Sequence, residues 1–182
     1  NHGEEIFADK IGVMLARDLG KLHPGAQFVV DVKSTGLFDT DPELRRLGVK
    51  TDYWKTGHSY IKRRVRDLNA LAGFEKSGHF FFNAPVGRGY DDGVVTAIAV
   101  IDMLDRNPGK SMAELYAAVP KTWGTPTMAA KCADEIKYQV SDRVTKAVEA
   151  MQAKAESFAG QPIRSVVTVN GVRVTTQDGS WA

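Results

Sequence analysis

From Asp9 to Met103 the chain alternates helical apolar stripes with short β-branched or aromatic runs, and glycine or proline punctuates most changes of period. That alternation admits few architectures, because each helical stripe and each strand face must be buried against another element; it describes an α/β domain. Asp9 is placed to cap a helix carrying Ile11, Met14, Leu15, Leu19 and Leu22, which "HPG" (His23 to Gly25) ends. "QFVVDVK" (Gln27 to Lys33) and "VKTDYW" (Val49 to Trp54) read as strands, with a short helix between them opened by Asp41-Pro42 and stopped at Gly48. Thr56 or Ser59 can cap a helix that keeps Ile61, Val65 and Leu68 on one face. "ALAGFE" and "HFFFN" are strand-like, and Asp91 and Asp92 open a long helix with a stripe of Val94, Val95, Ile98, Ile101 and Met103.

The pattern changes after Pro120. "PKTWGTPT" has the composition of a linker, so the expected division is an α/β domain over residues 1–122 and a second unit over 123–182. The second unit opens with an amphipathic helix from Ser141. "SVVTVNGVRVTT" follows, with Asn170-Gly171 between two alternating runs, a hairpin signal. One helix and one hairpin make a poor independent core, so the reading is an incomplete α+β domain. The chain begins at Asn1 rather than a methionine and stops at "DGSWA", which suggests a piece of a longer protein.

Composition excludes several classes. A formal net charge of +2 over 182 residues gives no electrostatic case for nucleic acid. Lys62, Arg63, Arg64 and Arg66 fall largely on the polar side of one helix and read as a solvated face. The single cysteine, Cys132, allows no internal disulfide, fits a reducing cytoplasmic location and reads as structural. No apolar run approaches the roughly 18 residues of a membrane span. Gly87, Gly89 and Gly93 in "GRGYDDG" do not make a dinucleotide loop, "DTD" and "YDD" lack calcium-loop spacing, and no zinc, P-loop or nucleophile-elbow pattern occurs.

Three features carry candidate chemistry, each with a plainer alternative. In "EKSGH", Glu75, Ser77 and His79 alternate; on an extended segment they share one side, away from Phe80 and Phe82. A carboxylate, a hydroxyl and an imidazole together can read vicinal hydroxyls, and a polar strand end would look the same. In "KTGHS", Gly57 and His58 sit where a strand passes into a helix N-terminus, whose free N–H groups favour oxygen ligands; a turn glycine with an incidental histidine fits equally. Lys33 leaves a buried strand and could meet a phosphate, or simply be solvated. Two such clusters at strand ends of one α/β domain favour a site.

Taken in order, "DVK", "WKTGHSYIK", "EKSGHFFF" and "YDDG" resemble the sugar-binding third domain of the α-D-phosphohexomutases, in the phosphomannomutase/phosphoglucomutase branch. The family string is G-E-x-S-G-H; here Phe74 stands between Gly73 and Glu75. The likeness covers residues 4–120, and "NGVRV" and "DGSW" resemble the opening of the family's fourth domain. It implies a mixed sheet flanked by helices. It also implies that Glu75 and Ser77 contact sugar hydroxyls, Gly57 and His58 lie beside the same sugar, and Lys33 and His79 hold phosphate or orient the reacting end.

The family moves phosphate between C6 and C1 of a hexose through a phosphoserine, and a bisphosphorylated sugar turns around between the two transfers. A site that binds one sugar in two orientations should grip its central hydroxyls, O3 and O4, and would accept glucose and mannose alike. Nothing in the chain resembles the family's T-A-S-H-N-P phosphoserine loop, its D-G-D-x-D-R magnesium loop or its R-A-S-N phosphate loop. The expectation is therefore no catalytic or metal-binding residue here and a piece inactive alone. Magnesium and glucose 1,6-bisphosphate are implied for the parent enzyme, and its partners would be a hexose phosphate and the missing N-terminal domains. Phosphoglucosamine mutase and a non-catalytic sugar-phosphate-binding module are the alternatives.

Overall fold

The computed structural model describes residues 3–125, 128 and 130–182; Pro126 and Thr127 of the expected linker lie outside them. The chain divides into two units, Asn1–Pro120 and Lys121–Ala182.

The first unit is built on a four-stranded mixed sheet of order β2-β1-β3-β4. β1 (Gln27–Asp31) pairs in parallel with β2 (Lys50–Trp54) and with β3 (Ala72–Phe74), and β4 (Phe80–Phe82) returns antiparallel to β3. The chain thus leaves β1 to one side, then crosses back over it, placing a topological switch beside the carboxyl end of β1.

Alternation along the strands divides the core. Phe74 meets Phe28, Phe38, Phe80 and Phe82 with ring centroids 5.2–6.0 Å apart, and α1 (Ala8–Leu22) packs on this side through Gly12. On the other face Val29, Ala70 and Phe81 cluster with Ile61 and Val65 of α4 (His58–Asp67), with Trp54 against the cluster. Gly73 lies beneath α4, where a Cβ would come within 2.7 Å of methyls of both Ile61 and Val65. α2 (Leu37–Thr40) and α3 (Pro42–Arg46) connect β1 to β2. Asp41, fully buried, caps α3 by accepting from the N–H groups of Glu43 and Leu44 and pairs with Arg17 of α1.

Several expectations need correction. Asp9 does not cap α1; Phe7 holds that position, and the buried Asp9 carboxylate accepts the Thr35 N–H instead. Neither Thr56 nor Ser59 caps α4, which starts from Gly57 without a side-chain cap. Asp92 alone caps α5 (Gly93–Asp105), whose expected stripe is mostly on the surface: Ala99 and Met103 are buried, whereas Val94, Ile98 and Ile101 are exposed. Arg64 is not simply solvated, since it pairs with Asp52 at 2.9 Å and lies 4.1 Å over the Trp54 ring. Cys132 is exposed rather than structural. A short helix α6 (Met112–Ala117), closed by a Ser111–Glu114 capping box, completes the unit.

In the second unit α7 runs from Lys137 to Ala153, four residues ahead of the expected Ser141 start, and ends before Ser157, which opens β5 (Ser157–Phe158). β5 pairs with β6 (Gln161–Val167), which pairs antiparallel with β7 (Arg173–Thr176) across the turn holding Gly171. Buried Arg173 lies 3.9 Å over Trp181. Among the described residues no helix is long and apolar enough to cross a membrane.

Candidate functional site

The three parallel strands end on one side of the sheet, and the segments leaving them are tied together by two buried carboxylates. Asp31, 1% exposed at the end of β1, accepts from the Ser34 hydroxyl in its own turn. It also accepts from the Thr56 hydroxyl after β2 and from the Lys76 N–H after β3, both at 3.2 Å. Glu75, 3% exposed, accepts the Gly57 N–H at 3.0 Å on one oxygen and the Ser77 hydroxyl at 3.2 Å on the other. Charged acceptors make such bonds stronger than neutral ones. The β2–α4 and β3–β4 connections are therefore held against each other at the carboxyl end of β1.

Backbone geometry makes this closure possible. Gly57 has φ 126, a region that L side chains rarely adopt, and its N–H turns to Glu75 while α4 starts behind it. Gly78, at φ 95, closes the β3–β4 connection, within which Glu75 N–H donates to the His79 carbonyl and Gly78 N–H to that of Glu75. Glu75, Ser77 and His79 thus do not alternate along an extended strand. They sit on a tight hairpin turn, so the expected convergence by i, i+2 and i+4 is replaced by convergence through a turn. Glu75 points inward to its two donors; Ser77 and His79 are exposed.

The imidazole of His79 makes a 2.7 Å hydrogen bond from Nδ1 to Asp91. His58, the first residue of α4, is exposed with its ring edge against Phe81 at 5.3 Å. Lys33 is exposed in the turn after β1. That turn is anchored from two sides: Asp9 accepts the Thr35 N–H at 2.9 Å, Lys10 Nζ donates to Thr35 Oγ1 at 2.9 Å, and the Tyr53 hydroxyl donates to the Thr35 carbonyl. Burial lowers the pKa of Lys10 below its ordinary 10.5; nearby Asp9 opposes the change and Lys76 adds to it.

The structure therefore brings Gly57, Glu75 and Ser77 into direct contact, with His58 and His79 adjoining them in the chain. Asp31, Thr56, Lys10 and Asp91 are neighbours that sequence reasoning missed. The one available signal was a carboxylate ending an apolar strand. Among the described residues no group of three or more His, Cys, Asp or Glu could hold a metal ion. The exposed surface offers a hydroxyl, two imidazoles and a lysine, groups that donate to and accept from a polyhydroxylated ligand.

The chain belongs to the phosphoglucomutase/phosphomannomutase family: residues 7–123 match the family model described as phosphoglucomutase/phosphomannomutase, alpha/beta/alpha domain III. A phosphomannomutase/phosphoglucomutase of Pseudomonas syringae pv. tomato is 30% identical over 179 residues, covering 98% of this chain and 35% of the relative. A phosphoglucomutase of Neisseria gonorrhoeae is 31% identical over 177 residues, covering 97% of this chain and 35% of that protein. A phosphoglucosamine/phosphogalactosamine mutase of Sulfurisphaera tokodaii is 26% identical over 180 residues, covering 98% and 36%. Among solved structures, a phosphoglucomutase/phosphomannomutase family protein of Burkholderia thailandensis superposes with TM-score 0.69 at 27% identity, covering 96% of this chain and 34% of that one. The chain thus spans about a third of the length of the curated relatives it matches.

Proposed function

We propose that this chain supplies the sugar-recognition wall of a phosphohexomutase that interconverts hexose 1-phosphate and hexose 6-phosphate of the glucose and mannose series. The observation that carries the reading is the Glu75 carboxylate, which holds the Gly57 N–H and the Ser77 hydroxyl at once. The Ser77 oxygen, its proton turned to Glu75, accepts from a sugar hydroxyl; Gly57 and His58 flank the same sugar. Lys33 and His79 meet the phosphate or the reacting end. Such a wall grips the middle of the ring, as a sugar bound in two opposite orientations requires.

The phosphoryl-carrying serine, the magnesium ion and the handling of a bisphosphorylated sugar belong, in this reading, to parts of the parent protein other than these residues. The chain alone would bind hexose phosphate weakly and turn nothing over.

The test is an NMR titration of the isotope-labelled chain with glucose 6-phosphate, mannose 6-phosphate and glucosamine 6-phosphate, beside an assay for glucose 1-phosphate to glucose 6-phosphate conversion. Expected are dissociation constants on the order of 1 mM, equivalent to about −4 kcal/mol, with the largest shifts at Gly57, Ser77 and His79, and no turnover. Ser77→Ala should abolish the shifts at Gly57. Shifts confined to other surfaces, or measurable turnover by the chain, would overturn the reading; tighter binding of the amino sugar would move it to the glucosamine series.

A further inference from the structure

Two consecutive carboxylates, Asp91 and Asp92, precede α5, and the structure gives them different tasks. Asp92 is the N-cap, and its carboxylate accepts from the N–H groups of Val94 and Val95. Asp91 contributes nothing to the cap. Its backbone is bridged antiparallel to Phe81, the middle residue of β4, and its carboxylate lies 2.7 Å from Nδ1 of His79. Asp91 is therefore held from both sides, by the bridge and by the capped helix start. The backbone of His79 is held too, since its carbonyl accepts the Glu75 N–H.

A carboxylate can only accept, whereas a neutral imidazole has one donor and one acceptor nitrogen. In the neutral ring, a hydrogen bond from Nδ1 to Asp91 therefore places the proton on Nδ1 and leaves the lone pair on Nε2. The His79 side chain remains 52% exposed, against 27% for Asp91, so the ring can present a nitrogen to a ligand while the carboxylate stays behind it.

We propose that Asp91 is a positioning residue that fixes the tautomer and orientation of His79, so that Nε2 is a dedicated acceptor for a ligand hydroxyl or protonated phosphate oxygen. Without Asp91 the ring is free to carry its proton on Nε2, which would then donate where the site needs an acceptor. The identity of the ligand rests on the function proposed above; the tautomer does not.

Long-range proton–nitrogen correlation spectra of the 15N-labelled chain read which ring nitrogen carries the proton. His79→Gln identifies the signal by its loss. The expected result is an Nδ1–H ring at His79 in the parent chain. In Asp91→Ala the dominant tautomer should change to Nε2–H, with the His58 signal unmoved and the Phe81 amide still protected, which shows that the fold is intact. An Nε2–H ring in the parent, or an Nδ1–H ring that survives Asp91→Ala, would overturn the proposal. The parent measurement decides by itself should the variant fail to fold. A chain that shows the expected tautomers but binds no hexose phosphate would refute the proposed function and leave the role of Asp91 standing.

Discussion

Gly73 offers the sharpest test of how this domain is packed. An added Cβ would lie 2.7 Å from Ile61 Cγ2 and 2.7 Å from Val65 Cγ2, about 1 Å inside a comfortable carbon–carbon contact at two points. Neither methyl can retreat: Ile61 is 0% exposed and Val65 1%. Overpacking of this kind costs about 1–3 kcal/mol, and with two contacts at once Gly73→Ala should fall near the upper figure. For a urea slope of roughly 2 kcal/mol/M, the midpoint should drop by about 1.5 M. Trp54 packs against this cluster and is the only tryptophan of the first unit, so its fluorescence, with far-UV circular dichroism, follows the transition. Val65→Ala alone opens a cavity and should cost about 2 kcal/mol. Combined with Gly73→Ala it removes one of the two collisions, so the double variant should be more stable than the sum of the singles by about 1 kcal/mol. A Gly73→Ala chain within about 0.5 kcal/mol of the parent, or strict additivity in the double variant, would refute the packing account.

Other outcomes follow from the tied strand ends. Asp31→Asn leaves one acceptor oxygen for the donors Ser34, Thr56 and Lys76; it should cost about 1–3 kcal/mol in thermal unfolding and shift the Lys76 amide resonance, and an unchanged Lys76 signal would contradict the tie. The Lys10 ammonium loses its proton more readily folded than unfolded, so in the alkaline range below 10.5 the unfolded chain holds more protons and stability rises with pH. Lys10→Met should remove that increment, and urea melts at increasing pH should show the parent gaining on the variant; a constant difference would count against the burial of Lys10.

How far the sequence revealed this architecture depends on whether each signal was local. The runs at Gln27, Lys50 and Phe80 carry their own β-branched or aromatic signature, and Asp41-Pro42 announces α3, so those elements were readable. The site geometry was not. Alternation of Glu75, Ser77 and His79 looks like a strand, but the left-handed Gly78 folds the segment into a turn, a choice made by the β3–β4 pairing. Beyond Ser34 in its own turn, the partners of Asp31 are distant in the chain, Thr56 and Lys76 lying 25 and 45 residues further along. On α5 the apolar spacing was genuine, yet only Ala99 and Met103 of that helix are buried; periodicity tells which residues share a face, not whether anything covers it.

The aromatic hub explains the departure from the family string around Glu75. Counted back from that carboxylate, Phe74 occupies the string's glycine position, and its ring is accommodated because α1 passes over it with no side chain at residue 12, where a Cβ would stand 3.3 Å from Phe74 and 3.1 Å from Phe38. Bulk on the strand at residue 74 is matched by its absence on the helix at residue 12. Positions 12 and 74 should therefore evolve as a pair: homologues that carry a large residue at 74 need glycine at 12, and those that restore glycine at 74 are released to fill the space from the helix.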